Sequence, residues 1–179
     1  ETFVAGDTDF QAALTKMKDK EFDAIVVPGY YTEAGKIVNQ ARGLGIDQTI
    51  VGPDGFGDAK FVEQATPAAA TNVYYVSGFT TSGEMSEKAK KFIEAYKAKY
   101  KEEPSMFAAL AYDSVYMAAE AAKGAKTSVD IKDNLAKLKD FDGVTGSITI
   151  DKDHNPVKTA LMIGLKDGQV DTVETVKAE

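Results

Sequence analysis

The chain has 179 residues, 44% hydrophobic and 27% charged, with 21 Lys and Arg against 28 Asp and Glu for a formal charge of −7. That composition suits one globular domain or two small lobes, and its acidic balance argues against a nucleic-acid partner. The absence of Cys excludes disulfides, thiolate metal sites and thiol nucleophiles, and a single His excludes most histidine-based metal sites. No apolar run approaches the ~20 residues of a membrane span. The first residue is Glu1 and no signal-like segment precedes it, which predicts a processed or cut chain.

Phe10, Ala13, Leu14 and Met17 recur at helical spacing, and Gly6-Asp7-Thr8-Asp9 ahead of them supplies N-cap residues. Residues 22–27 form a short apolar run, a buried strand stopped by Pro28-Gly29. Ile37, Val38, Ala41 and Leu44 mark a second helix, with Gly45 as its C-cap. Thr49-Ile50-Val51 reads as a strand ended by Gly52-Pro53-Asp54-Gly55, followed by a helix over about 59–65 and a strand over 72–76. This alternation predicts an α/β fold, a parallel sheet with helices on both faces.

The rhythm then breaks into three successive helical patterns. The first carries Ala89, Phe92, Ile93, Tyr96 and Tyr100 and runs to Pro104; the second carries Phe107, Leu110, Ala111, Val115, Ala118, Ala119 and Ala122; the third uses Ile131, Leu135 and Leu138. Strands follow at 147–150, 159–165 and about 170–176, the last two joined by an Asp167-Gly168 turn. Parallel α/β units do not normally absorb three helices in a row, so the chain is expected to leave one lobe near Ser77-Gly78 and to return to it late.

Ligands of open α/β sheets sit beyond the carboxyl ends of the strands. Two loops occupy that position, Pro28-Gly29-Tyr30-Tyr31-Thr32-Glu33 and Gly52-Pro53-Asp54-Gly55. The first offers phenol rings with apolar faces and polar tips, the second a carboxylate suited to an ammonium group. A plain turn at Pro-Asp-Gly and a Tyr pair that merely covers a sheet edge are the alternatives. Asp151-Lys152-Asp153-His154-Asn155 begins like a calcium loop, but Pro156 stands where Gly is needed and Met162 where Glu should be, so a turn is expected. Neither a G-x-S-x-G elbow nor a phosphate loop occurs, and His154 is a poor triad member. The Lys-rich first helix of the later three, interleaved with Glu87, Glu94 and Glu102, reads as a solvated face. Two crevice loops with almost no catalytic equipment make a binding profile rather than an enzyme, and a small hydrolase is the weakest reading.

Phe3-Val4-Ala5-Gly6-Asp7-Thr8-Asp9-Phe10, the 28–33 loop, Ile50-Val51-Gly52-Pro53-Asp54-Gly55, Ala109-Leu110-Ala111-Tyr112-Asp113 and Phe141-Asp142-Gly143-Val144-Thr145-Gly146 occur in an order and spacing that resembles the carboxyl-terminal half of the branched-chain amino-acid (leucine/isoleucine/valine) solute-binding proteins of ABC transporters. The resemblance spans essentially the whole chain. It implies a type I periplasmic binding protein fold, carried in part: residues 1–77 in the second lobe, 78–160 in the helix-rich later part of the first lobe, and 161–179 returning to the second. It further implies an extracytoplasmic protein, periplasmic or lipid-anchored behind a signal sequence, that closes on an amino acid without a cofactor or metal and docks on a membrane permease. By the same resemblance Tyr30 covers the ligand, Asp54 binds its ammonium group with a shorter arm than the Glu common among relatives, and Phe107 lines the pocket with Tyr31 as a neighbour. The family's carboxylate-binding groups fall in the other half. The chain alone would therefore bind weakly or not at all, and its exposed first-lobe sheet edge could pair with a second copy. A ligand-sensing domain of the same fold, in a receptor or regulator, is the alternative function.

Overall fold

The computed structural model describes residues 1–176; the last three residues of the 161–179 segment lie outside the described residues. The chain forms two compact units, one of Glu1–Ser77 with Leu161–Glu174, the other of Gly78–Ala160 with Thr175 and Val176.

In the first unit, α1 (Gln11–Lys18), β1 (Ala24–Val26), α2 (Tyr31–Gly43), β2 (Thr49–Gly52), α3 (Lys60–Ala65) and β3 (Val73–Ser77) alternate along the chain. β1, β2 and β3 pair in parallel, placing Ile25, Ile50 and Val73 in one row. The polar run ahead of α1 does not supply its N-cap: Phe10 takes that position and is itself in the core, while Asp9 accepts from the Gln11 N–H at 3.0 Å. Burying the aromatic ring outweighs a side-chain cap here.

Ile25, Ile50 and Val73 join Leu14, Ile37, Val38, Ala41, Phe61 and Ala65 in a single core, so all three helices cover the same face of the sheet. The expectation of helices on both faces is therefore not met among the described residues. Alternate residues on the other face, Val26 at 72% exposure with Tyr74 and Val76, are exposed among the described residues.

The second unit opens with α4 (Glu87–Tyr100), α5 (Met106–Ala122) and α6 (Ser128–Leu135). Ser86, Ser105 and Thr127 cap them, and Thr127 with Asp130 completes a capping box. α4 stops before the expected Pro104: Lys101 turns left-handed at φ 64° and its N–H donates to the Lys97 carbonyl, closing the helix at Tyr100. α6 ends before Leu138, whose carbonyl instead accepts from the Ile150 N–H at 2.9 Å. β4 (Phe141–Gly143), β5 (Gly146–Ile150) and β6 (Pro156–Val157) make a small antiparallel sheet; β4 and β6 are too short to show a period in the sequence. Phe79, Phe92, Met106, Ala109 and Val144 form its core. Nearly every turn of α5 is apolar, yet Val115 remains 67% exposed beside Tyr112 and Tyr116.

β7 (Ala160–Lys166) then pairs antiparallel with β3, Ser77 opposite Leu161 and Val73 opposite Leu165, and β8 (Gln169–Val176) borders β7 to complete a mixed five-stranded sheet ordered β1-β2-β3-β7-β8.

Candidate functional site

The two crevice loops meet beyond the carboxyl ends of β1 and β2. The ladder continues one residue past β1, with Val27 N–H donating to the Val51 carbonyl at 2.9 Å, and then Pro28-Gly29 turns the chain away. Tyr30, extended at φ −101° and ψ 166°, is the N-cap of α2. On the other strand, Gly52 and Pro53 lead into a 3₁₀ turn over Asp54–Phe56. Phe56 is buried, lies over Gly52 where any Cβ would collide with its ring, and stacks on Phe61 with centroids 4.7 Å apart. That anchor makes Pro-Asp-Gly more than a surface turn, because the buried ring fixes where the turn stands. Gly55 brings the loops together: a Cβ there would strike the Gly29 carbonyl oxygen. Residues with side chains cannot replace glycine at either close approach.

Tyr30 and Asp54 line one open cavity of about 330 Å³, with Pro28, Gly29, Pro53 and Gly55 as its floor. Tyr30 is 66% exposed, leaving its ring available over the cavity. Tyr31 is not among the lining residues; as the first residue of α2 it packs against the core of the first unit. Phe107 lies in the second unit, at the start of α5, packed against that unit's core. Three lining residues carry no role in the sequence reading: Phe3, Ala5 and Glu33. They belong to stretches quoted for the family resemblance, but their spacing shows no period, and Gly6-Asp7 reads as helix-capping material when only the local sequence is in view.

A phenol and a carboxylate in a small concave site, surrounded by proline, glycine and an aromatic ring, suit a small ligand bearing a cationic group. No nucleophile–base pair accompanies them in the cavity. His154 sits in the second unit at φ 66°, in a turn where Asp151 Oδ1 accepts from the Asp153 and Asn155 N–H groups at 2.8 Å each. Those bonds hold the Asp151 carboxyl below its usual range, the Asn155 N–H foremost, so the calcium-like stretch is a hydrogen-bonded turn. A second cavity, about 480 Å³, runs along α6 past Ile131, Leu135, Ile150 and His154 and contains none of the crevice residues.

The model of the Periplasmic binding protein family matches residues 1–169. The chain belongs to the periplasmic binding protein family. Among solved structures, it is 68% identical to the branched-chain amino acid transporter substrate-binding protein LivJ from Streptococcus pneumoniae, in complex with isoleucine, with a TM-score of 0.92 over 99% of this chain and 51% of that one. A leucine-binding protein LivK from Thermotoga maritima is 31% identical, with a TM-score of 0.89 over 98% of this chain and 50% of that one. The leucine-, isoleucine-, valine-, threonine- and alanine-binding protein of Pseudomonas aeruginosa is 27% identical over 149 residues, 83% of this chain and 39% of its own length. The chain thus spans between 39% and 51% of the length of these relatives, and its fold is the type I periplasmic binding protein fold in part. No helix among the described residues is long and apolar enough to cross a membrane.

Proposed function

We propose that the chain is part of the extracytoplasmic solute-binding component of an ABC importer, binding a branched-chain or similar amino acid in the interlobe cleft of the whole protein and delivering it to a membrane permease. The observation that carries this reading is the placement of Tyr30 and Asp54 in one cavity beyond the strand ends. In it, Asp54 accepts the ligand's ammonium group and Tyr30 lies over its aliphatic part. Residues 1–77 and 161–174 belong to the second lobe and 78–160 to the first. Phe107 lines the ligand from the first lobe, and Tyr31 is a neighbour of the site beside Tyr30. The carboxylate of the ligand is held by the half of the fold outside this chain.

Binding is the whole of the activity. Transfer of a zwitterion into a closed site requires each charge to find a partner, so one carboxylate and one set of donors must both be present. Titration calorimetry of the whole two-lobed protein with leucine, isoleucine and valine tests the reading. Truncating one side of the buried charge pair, Asp54→Ala, is expected to cost about 2–5 kcal/mol of affinity. Unchanged affinity in that variant removes Asp54 from the site, and no binding of any of the three amino acids by the unsubstituted protein refutes the ligand class.

A further inference from the structure

One wall of the cavity comes from the chain's first residues, which reach it by an unusual attachment. Val4, Ala5, Gly6 and Asp7 form a β-turn closed by the Asp7 N–H donating to the Val4 carbonyl at 3.1 Å. Gly6 is at φ +92° in the third position, where a type II turn needs a left-handed residue. Asp7 tightens the turn from inside, its Oδ2 accepting from the Val4 N–H at 2.9 Å. Phe3 leads into the turn with its ring against Gly29 and edge-on to Phe10, centroids 5.8 Å apart. Phe3 and Ala5 are thereby brought to the cavity as a lip facing the Asp54 loop.

The residue that pins this lip is Glu33. It occupies the third helical position of α2, where a Glu customarily reaches back to the N–H of its own N-cap. Here it spans 27 residues instead, its Oε1 accepting from the Gly6 N–H at 2.8 Å. Gln40, two turns further along α2, holds the chain where it leaves the lip, accepting from the Phe10 N–H at 2.7 Å and donating to the Thr8 carbonyl at 2.9 Å. One helix therefore carries Tyr30 at its cap, the lip's pin one turn in, and the lip's base two turns beyond.

We propose that Glu33 is a positioning residue for ligand binding: through Gly6 it holds Phe3 and Ala5 in place as the wall of the Tyr30–Asp54 cavity. This rests on the amino-acid-binding reading of that cavity. The part played by Glu33 is that of a hydrogen-bond acceptor at the tip of a turn that has little packing of its own, and a neutral amide oxygen at the same place can do the same work. A contact of its charge with the ligand's ammonium group would not tolerate that exchange.

Two measurements test it. In the 179-residue chain, NMR hydrogen exchange at the Gly6 amide should quicken about 10-fold or more in Glu33→Ala, as expected for loss of a hydrogen bond to a charged group, and return to within about 3-fold in Glu33→Gln. The Phe3 ring and Ala5 methyl signals should move in the first variant only. Gly6 exchange unchanged in Glu33→Ala overturns the proposal whatever the ligand. In the whole two-lobed protein, calorimetry with leucine should show about 10-fold weaker binding for Glu33→Ala and little change for Glu33→Gln, in line with one lost charge-assisted bond. Equal losses in both variants, or none in either, overturn the positioning role. Failure of the unsubstituted protein to bind leucine, isoleucine or valine would instead refute the functional reading, and the exchange measurement still decides the pin.

Discussion

Asp113 is a buried carboxyl of the second unit that serves as the acceptor for a turn far away in the chain. Its side chain is 2% exposed within α5, and its carboxylate takes three donors from the turn after β4. Oδ1 accepts from the Val144 N–H at 2.7 Å, and Oδ2 accepts from the Thr145 N–H at 2.9 Å and the Thr145 hydroxyl at 2.7 Å. Gly143 makes the approach possible, because a Cβ there would press on the carboxylate. Lys158 lies close enough for Asp113 to raise its ammonium pKa against the stronger lowering by burial. Replacing Asp113 with Ala leaves two buried N–H groups without acceptors, at about 1–3 kcal/mol each, and the hydroxyl can rotate to a new partner. We expect a loss of roughly 4 kcal/mol from these two donors, deepened because Lys158 keeps its burial and loses the opposing charge. Asp113→Asn retains one oxygen but turns an NH₂ group toward a donor, so it should lose about half as much. Hydrogen exchange at Val144 and Thr145 reads the local effect, with an acceleration of several hundred-fold expected for Ala. Thermal melting followed by circular dichroism reads the global effect. Exchange within about 3-fold of the unsubstituted chain, with an unchanged midpoint, would show that the turn finds other acceptors and refute the reasoning.

Two further outcomes follow from burial and exposure. Burial pushes the Tyr75 hydroxyl up to about 12 from its usual 10. Between those values the unfolded chain gives up a proton that the folded one retains, so stability is whole below pH 10 and falls by up to roughly 3 kcal/mol as pH rises to 12. Urea unfolding should show that decline and Tyr75→Phe should flatten it; a tyrosine absorbance titration in which every group ionises near 10 would sink the idea. The sheet face at Val26 and Val76 and the apolar stripe at Val115 and Tyr116 leave apolar surface exposed among the described residues. Sedimentation of the 179-residue chain should show a second copy bound at micromolar concentration, weakened by Val115→Glu. A monomer at every concentration contradicts it.

Much of the fold could be read from local pattern. The apolar periods around Leu14, Val38, Phe92 and Ala109, and the breakers at Pro28-Gly29 and Gly52-Pro53, mark helices, strands and the ends of strands directly, since a helix or strand must turn one side to the core. The loops that carry Tyr30 and Asp54 are legible for the same reason, since each directly follows a strand-ending breaker, whereas the choice of Tyr30 over Tyr31 comes from the family resemblance. Other features depend on partners distant in sequence. The 3₁₀ turn under Asp54 exists because Phe56 has Gly52 and Phe61 to lie against. α4 ends at Tyr100 through a backbone twist at Lys101 and not at the proline. Which segments cover the second face of the sheet is a matter of tertiary packing, and strand alternation alone cannot name them.

By itself, then, the sequence determined the class of fold, the sites of its strand ends, and the absence of thiol and most histidine chemistry, because composition and short-range periodicity act within a few residues. Tertiary structure alone decided that Glu33 would leave its own helix cap to hold Gly6, that Asp113 would become the acceptor for a turn about thirty residues away, and that Phe3 would reach the cavity. These are contacts between residues far apart in the chain, where a carboxylate takes whichever buried donors the fold presents to it.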